Sequence, residues 1–249
     1  MKFEFSIRKA IKETWNLFKL SPWFFVGLTA IMIVINFAGG EKMPFWMILL
    51  SLIAGVIMSY VWLSVALAAV DKKTELLSFK KFRYHLPTLR NFFKYVGVWI
   101  VSGACIAALL LPFVIVGSYI MMLVTSGVFV IIGILPFLIP GLYIMIRLVF
   151  AQTSYVDRKG TIMQSLRHSW TMVKGDVFWT VLLTMIASIV LIIVGILLLG
   201  VGFLAAYPMS IFLTTLLYRK LSHYHGEQAI VVQAVEITAG GESKESVAE

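Results

Sequence analysis

Charged residues are scarce in this chain. Of its 249 residues, 13% are charged and 60% are hydrophobic, and the mean hydropathy is +0.95. A soluble domain carries roughly 25% charged residues, so the composition excludes an ordinary soluble protein. Arg147 is the only charge between Lys94 and Asp157, and no charge lies between Asp176 and Arg219. Because a membrane-spanning helix needs about 20 residues, each run can hold two, and the sequence predicts an integral membrane protein.

Residues that commonly carry chemistry are also scarce. The single cysteine, Cys105, lies in an apolar run, which excludes an internal disulfide and predicts a packing role. Of the four histidines only His223 and His225 are close, and without further ligands beside them we expect no metal and no other cofactor. The sequence contains no Ser-His-Asp set, glycine-rich phosphate loop or HExxH motif. We therefore expect that the protein is not an enzyme.

Long apolar segments predict an all-α, polytopic membrane protein. The segments are unbroken, whereas the strands of a membrane barrel alternate and span only about 10 residues. We expect residues 1–220 to form a single transmembrane domain. Residues 221–249 contain five Glu and one Lys, and we expect a disordered acidic tail there. The six predicted spans are residues 22–38, 45–70, 95–118, 127–151, 177–198 and 202–219.

The basic residues predict the orientation of these spans. Of the 21 Lys and Arg residues, five lie in the N-terminal segment, seven between spans two and three, four between spans four and five, and three after span six. The positive-inside rule then places both termini and the two long loops in the cytoplasm, with the protein in the cell membrane. Such residues are attracted to anionic headgroups at about 1 kcal/mol each. We expect membrane lipids and a cytoplasmic protein as partners, and no nucleic acid.

The sequence contains an internal repeat. Residues 6–31 align without a gap to residues 161–186, pairing Trp15 with Trp170 and Lys19 with Lys174. Both copies carry apolar residues at the spacing of one helical face. This predicts amphipathic helices at about residues 3–19 and 161–174, each lying in the membrane interface and leading into a span. Since four spans separate the copies, the repeat is parallel; the paired stripes are Ile7, Ile11, Trp15 and Phe18, and Ile162, Leu166, Trp170 and Val173.

A third copy of the repeat is an open alternative. Residues 78–99 are basic and aromatic and also lead into a span. Pro87 would break any single helix there, so a plan of two units and a plan of three units both remain.

The stretch PGLYIMIRLVFAQTSYVDRKGTIMQSLRHSWTMVKGD, residues 140–176, resembles a known family pattern. That family includes the membrane domain of glycerophosphoryl diester phosphodiesterases and the YciC-like integral membrane proteins of bacteria. The resemblance implies a six-helix membrane protein of undefined biochemical role. Nothing in the chain resembles the catalytic barrel of some members, so phosphodiesterase activity is not implied. The matching residues are Pro140, Gly141, Arg147, Asp157, Ser165, Ser169, Trp170, Lys174 and Gly175.

Arg147 is the first candidate for a headgroup or interaction site, because it is the only charge inside a predicted span. It lies about one turn from the cytoplasmic end, where its side chain can reach lipid phosphate. The alternative is an ion pair with Asp157 or Asp176. As an anchor, Arg147 could be replaced by lysine without effect.

The repeated residues supply the other candidates. Trp15 and Trp170 are predicted anchors at headgroup depth, and a platform for a ligand is the alternative. Lys19 and Lys174 are predicted to contact headgroups beside them. Lys174, Gly175 and Asp176 together form either a grip for phosphate or a charged turn.

These features favour one function and leave two alternatives. The favoured function is a non-enzymatic scaffold or regulator of partners or lipids at the cytoplasmic face. A transporter or permease of a small molecule or lipid is the first alternative. A lipid-modifying enzyme is the second, with Arg147, Asp157, His168 and Asp176 as its polar groups.

The predicted orientation can be tested by thiol labelling in intact cells with Cys105 replaced by alanine. Cysteines at Glu41, Ser126 and Val201 should react with a membrane-impermeant maleimide added outside. Cysteines at His85 and His168, in the two basic loops, should react only after permeabilisation. The reverse pattern would refute the orientation.

Overall fold

The protein is all-α in a computed structural model that describes residues 3, 5–37, 44–123, 140–198 and 202–245. Within these ranges, the side chains of residues 109, 110, 112–114, 116–123, 176 and 226–245 are not described. No strand occurs in these ranges, which confirms the all-α part of the predicted fold class. The helices are α1 (Ile7–Leu20), α2 (Pro22–Phe37), α3 (Phe45–Val70), α4 (Leu89–Leu123), α5 (residues 140–148), α6 (Ala151–Arg158), α7 (Ile162–Met172), α8 (Asp176–Leu197) and α9 (Phe203–Glu245).

Three of the described helices are long and apolar enough to cross a membrane. They are α3, the part of α4 at Leu89–Ala108, and Val177–Leu197 of α8. They overlap three of the predicted segments, closely for residues 45–70 and 177–198 and in part for residues 95–118. A fourth crossing results if α1 and α2, which meet at a bend of 93°, count as one span.

The other three predicted spans are not confirmed as membrane-crossing helices. α2 has 16 residues, fewer than a crossing needs alone. The segment 127–151 lies mostly in residues 124–139, outside the described residues. The segment 202–219 is the start of α9, where the apolar run that begins at Phe203 ends before Arg219 and Lys220. The number six therefore stays a prediction.

The boundary that we expected at residue 220 falls inside a helix. α9 continues without a break from its apolar part to Glu245. Ala, Glu and Gln recur in residues 226–245, and these are good helix formers. The predicted division between a transmembrane domain and a tail therefore does not coincide with a helix end.

α9 packs in the centre of the fold. Its buried residues Phe212 and Leu216 belong to a hydrophobic cluster with α1, α2 and α3. Leu217 and Tyr218 belong to a second cluster, with α4, α6, α7 and α8. α8 approaches α9 closely at Gly195, where an added Cβ would lie 2.5 Å from the Cβ of Ala206. Glycine is required at this contact because any side chain would push the two helices apart.

The two helices of the predicted repeat bury corresponding positions. Their tryptophans are both partly exposed, Trp15 at 46% and Trp170 at 37%. Three aligned pairs within these two helices are buried in both copies, and the internal repeat itself stays a prediction. The buried pairs are Ala10 with Ser165, Thr14 with Ser169, and Leu17 with Met172.

Residues 78–99 do not form a third interfacial α-helix. Phe79–His85 is a short 3-10 helix, and Leu86 is extended at ψ 137°. A residue before proline avoids the α conformation, so Pro87 separates this turn from α4, which begins at Leu89. The three-unit alternative gains no support from the structure.

His85 connects the loop between α3 and α4 to α3 through side-chain hydrogen bonds. It is 2% exposed. The Ser64 hydroxyl donates to its Nδ1 at 2.9 Å, and its Nε2–H donates to the carbonyl of Leu76 at 3.1 Å. Burial lowers the pKa of His85, and the hydrogen bond to Leu76 opposes that shift in part. The side chain is therefore held as neutral imidazole.

A neutral buried histidine makes stability depend on pH. The unfolded chain takes up a proton near the ordinary pKa of 6.5, whereas folded His85 resists it. Stability is therefore complete above that pKa and is lost as the pH falls below it. We expect the melting temperature in detergent to fall between pH 7.5 and 5.5, with up to about 1.4 kcal/mol lost per histidine one unit below its pKa.

The variant His85→Gln should show a smaller fall over the same pH range. His223→Gln, at an exposed position, is the matched control and should keep the slope of the parent. Equal slopes for all three proteins would contradict the assignment to His85.

Candidate functional site

The junction of α6 and α7 creates a polar site. Lys159 ends α6 in the left-handed conformation, at φ 50°, and this turns the chain towards Thr161. A capping box starts α7: the Gln164 N–H donates to Thr161 Oγ1 at 3.3 Å, and the Thr161 N–H donates to Gln164 Oε1 at 3.0 Å. Satisfying these N–H groups fixes where α7 begins. Two helix faces are thereby held around one pocket.

The pocket between α6 and α7 has a volume of about 380 Å³. None of its lining residues is acidic, and two are arginines, so its charge is positive. Arg158 Nη2 makes one long contact, 3.4 Å to Ser222 Oγ. The exposed Arg167 side chain has no hydrogen-bond partner among the described residues. The lining residues are Ser154, Arg158, Gly160, Gln164, Ser165, Arg167, His168 and Thr171.

His168 is a further polar group of this pocket. Its Nε2 is buried and has no hydrogen-bond partner within the described ranges. Burial lowers the pKa of His168, the charges of Arg158 and His225 lower it further, and Asp157 opposes them. A bound anion would favour the protonated imidazole. The pocket therefore offers guanidinium and imidazole donors to a negatively charged group.

An ion-pair cluster holds the nearby acidic residues. Arg219 of α9 lies 2.7 Å from Asp71 and 2.9 Å from Asp157, one carboxylate at the end of α3 and one on α6. The Tyr218 hydroxyl also donates to Asp157, at 2.9 Å. Lys73 Nζ also lies 3.6 Å from Asp71, so two cations balance these two carboxylates, and neither carboxylate lines the pocket.

The cluster corrects one alternative from the sequence. Asp157 pairs with Arg219, so the suggested pair of Arg147 with Asp157 is wrong. The chain positions of Asp71 and Arg219 are 148 residues apart, and no sequence pattern connects them. For the other suggested partner, Asp176, the side chain lies outside the described part of the structure.

Arg147 instead joins α5 to α7. Its guanidinium carbon lies 5.0 Å from the ring centroid of Tyr143 and 4.8 Å from that of Trp170. Its Nη1 donates to the carbonyl of Trp170 at 3.1 Å, and Ser169 Oγ donates to the carbonyl of Arg147 at 2.7 Å. Cation–π contacts of this kind favour the planar guanidinium. Arg147 therefore connects α5 to α7, and its role as a headgroup anchor stays a prediction.

The remaining candidates lie apart from the pocket lining. Lys19 Nζ lies 5.8 Å above the Trp15 ring, which stacks on Phe18 with 5.7 Å between ring centroids. Lys174 is exposed in the bend before α8, beside Gly175 at φ 57°. A role of these residues in headgroup binding stays a prediction.

Sequence reasoning did not single out most residues of the pocket. Arg158 and Arg167 counted there only as loop charges, although the spacing of Gln164, Arg167, His168 and Thr171 was a readable sign of one polar helix face. Packing of α6 against this face could not be read from the sequence.

Comparison with known proteins adds no assignment. No family model matches the chain, and no curated protein or solved structure gives a significant match. The resemblance of residues 140–176 to a known family therefore stays an expectation. The site is interpreted from its own geometry.

The contacts of Arg147 with two aromatic rings predict that its replacement by lysine lowers stability, whereas a simple anchor predicts no change. Arg147→Lys keeps the charge but loses the planar contact with two rings, so we expect a loss of about 1 kcal/mol and a lower melting temperature in detergent. Lys19→Gln removes a cation that contacts only one exposed ring and should leave the melting temperature unchanged. A silent Arg147→Lys would restore the anchor interpretation.

Proposed function

We propose that the protein is an integral membrane protein that binds the phosphate-bearing headgroup of an anionic lipid at the cytoplasmic face. It acts on lipids or partners as a non-enzymatic scaffold or regulator. The observation that carries the proposal is the basic pocket between α6 and α7, with Arg158, Arg167 and His168 in its lining.

The surfaces of the apolar helices support a place in the membrane. On α8, Ile189 is 55% exposed and Ile193 is 50% exposed, and on α3, Leu50 is 61% exposed. Exposed apolar surface of this extent is unfavourable in water and is matched by lipid. The basic α6–α7 region then lies at the end of these helices, where anionic headgroups collect.

The chemistry of the pocket fits phosphate. A guanidinium presents parallel N–H donors that match two phosphate oxygens, and each charged hydrogen bond contributes about 1.5 to 3 kcal/mol. Because no lining residue is acidic, no negative charge in the lining repels the ligand. The imidazole of His168, which lines the pocket, adds a further positive charge once protonated.

A binding role accounts for the polar groups better than a chemical step. General acid–base chemistry at His168 would need a further group beside it, such as a carboxylate that orients the imidazole. No carboxylate lines the pocket, and the carboxylate of Asp157 is held by Arg219 and Tyr218. We therefore favour recognition without turnover.

The proposal is tested by titrating the purified protein with short-chain phosphatidylglycerol and phosphatidylcholine. We expect phosphatidylglycerol to bind more tightly. Arg158→Gln and Arg167→Gln should each weaken it about tenfold, since each removes a charged hydrogen bond. Thermal shift or microscale thermophoresis reports the affinity.

Arg8→Gln on α1 is the matched control, since it removes an equal charge from the other interfacial helix and should preserve affinity. Equal affinity for the two lipids would refute the proposal. A control variant as weak as Arg167→Gln would show general attraction to basic surface instead. Tighter binding of inorganic phosphate than of phosphatidylglycerol would assign the pocket to a soluble anion.

A further inference from the structure

A second cavity lies against the opposite side of α7. It is a groove of about 530 Å³ between α4, α5 and α7, within the range of about 300 to 1,000 Å³ that small-molecule sites occupy. Arg167 is its only charged residue, and the rest of the lining is apolar apart from the Cys105 thiol. The groove is lined by Val101, Cys105, Ile144, Leu148, Met163, Leu166, Arg167 and Trp170.

The groove and the basic pocket share one residue. On a helix that turns 100° per residue, Met163, Leu166 and Trp170 face one side of α7. The residues of the pocket face another side, and Arg167 lies between them. It lines both cavities, and its exposed guanidinium stands where the apolar and basic surfaces meet.

The wall of the groove is held in place. The Trp170 ring is fixed by the Arg147 guanidinium at 4.8 Å and by an edge contact with Tyr143, with centroids 6.3 Å apart. A preformed apolar surface binds an alkyl chain without the entropic cost of ordering its own side chains. The fixed wall distinguishes the groove from the open apolar surfaces of α3 and α8.

We propose that the groove holds an acyl chain of the same anionic lipid whose headgroup occupies the basic pocket. This inference rests on the proposed function and extends it: the ligand is a whole lipid molecule that spans α7, with its phosphate at Arg167. Charge complementarity selects this occupant. A second copy packing an apolar face on the groove would bury Arg167 without a partner, which is unfavourable.

The test uses phosphatidylglycerol with a diazirine in its acyl chain, present as a minor component of phosphatidylcholine nanodiscs that contain the full chain. After irradiation, peptide mass spectrometry maps the adducts. We expect adducts at Cys105 and Met163 at least five times more abundant than with matched diazirine phosphatidylcholine. Arg167→Gln should abolish that preference, and Arg8→Gln should preserve it.

A variant that fills the groove separates the chain from the headgroup. Ile144→Trp should lower the adducts about fivefold while soluble glycerol phosphate binds as in the parent, which also shows that the variant is folded. Ile48→Trp, at an exposed position on α3, is the size-matched control and should change neither result.

Three outcomes would overturn the inference in distinguishable ways. If glycerol phosphate binds but the two lipids give equal adducts, the basic pocket still binds a headgroup and the acyl-chain site in the groove is refuted. If the parent protein neither binds glycerol phosphate nor prefers phosphatidylglycerol in its adducts, the proposed function itself is refuted. A disulfide between two copies of a Met163→Cys variant in the Cys105→Ala background would show that a second protein occupies the groove.

Discussion

One arginine determines how the ends of three helices meet. Arg219 of α9 bridges Asp71, which follows α3, and Asp157 of α6. The side chains are only 17% to 24% exposed, so removing Arg219 would leave two partly buried carboxylates with less compensation for their charge. Such a bridge contributes more to specific geometry than to net stability. It positions α6, and α6 forms one wall of the basic pocket.

The same bridge sets the charge of that pocket. Asp157 is the neighbour of Arg158 in the sequence. Without a cationic partner, its carboxylate would reduce the attraction of the pocket for an anion. Because Arg219 and Tyr218 hold Asp157, the guanidinium groups of α6 and α7 are left for a ligand. The capping box of Thr161 and Gln164 then fixes the start of α7, and Arg147 holds its end through Trp170. α7 is thus restrained at both ends between a basic pocket and an apolar groove.

Arg147 shows how a correct observation led to an incomplete interpretation. As the only charge in its predicted span it was a sound candidate, and lipid phosphate or a carboxylate was its natural partner. The structure supplies two aromatic rings and a backbone carbonyl instead. Tyr143 is one helical turn away and could have been suspected. Trp170 is 23 residues away on another helix, and its position depends on the turn at Lys159.

The sequence by itself determined the helical class, the presence in α3, α4 and α8 of segments long and apolar enough to cross a membrane, and the amphipathic character of α1 and α7. These features follow from hydropathy and period, which are local properties of the chain. Tertiary structure alone decided that α9 is central, that Asp157 pairs with Arg219, and that α6 meets the polar face of α7. Those contacts join residues up to 148 positions apart, and they depend on how whole helices pack. A single sequence carries no local signal for such pairings, because many partners satisfy the same charge and the same apolar face.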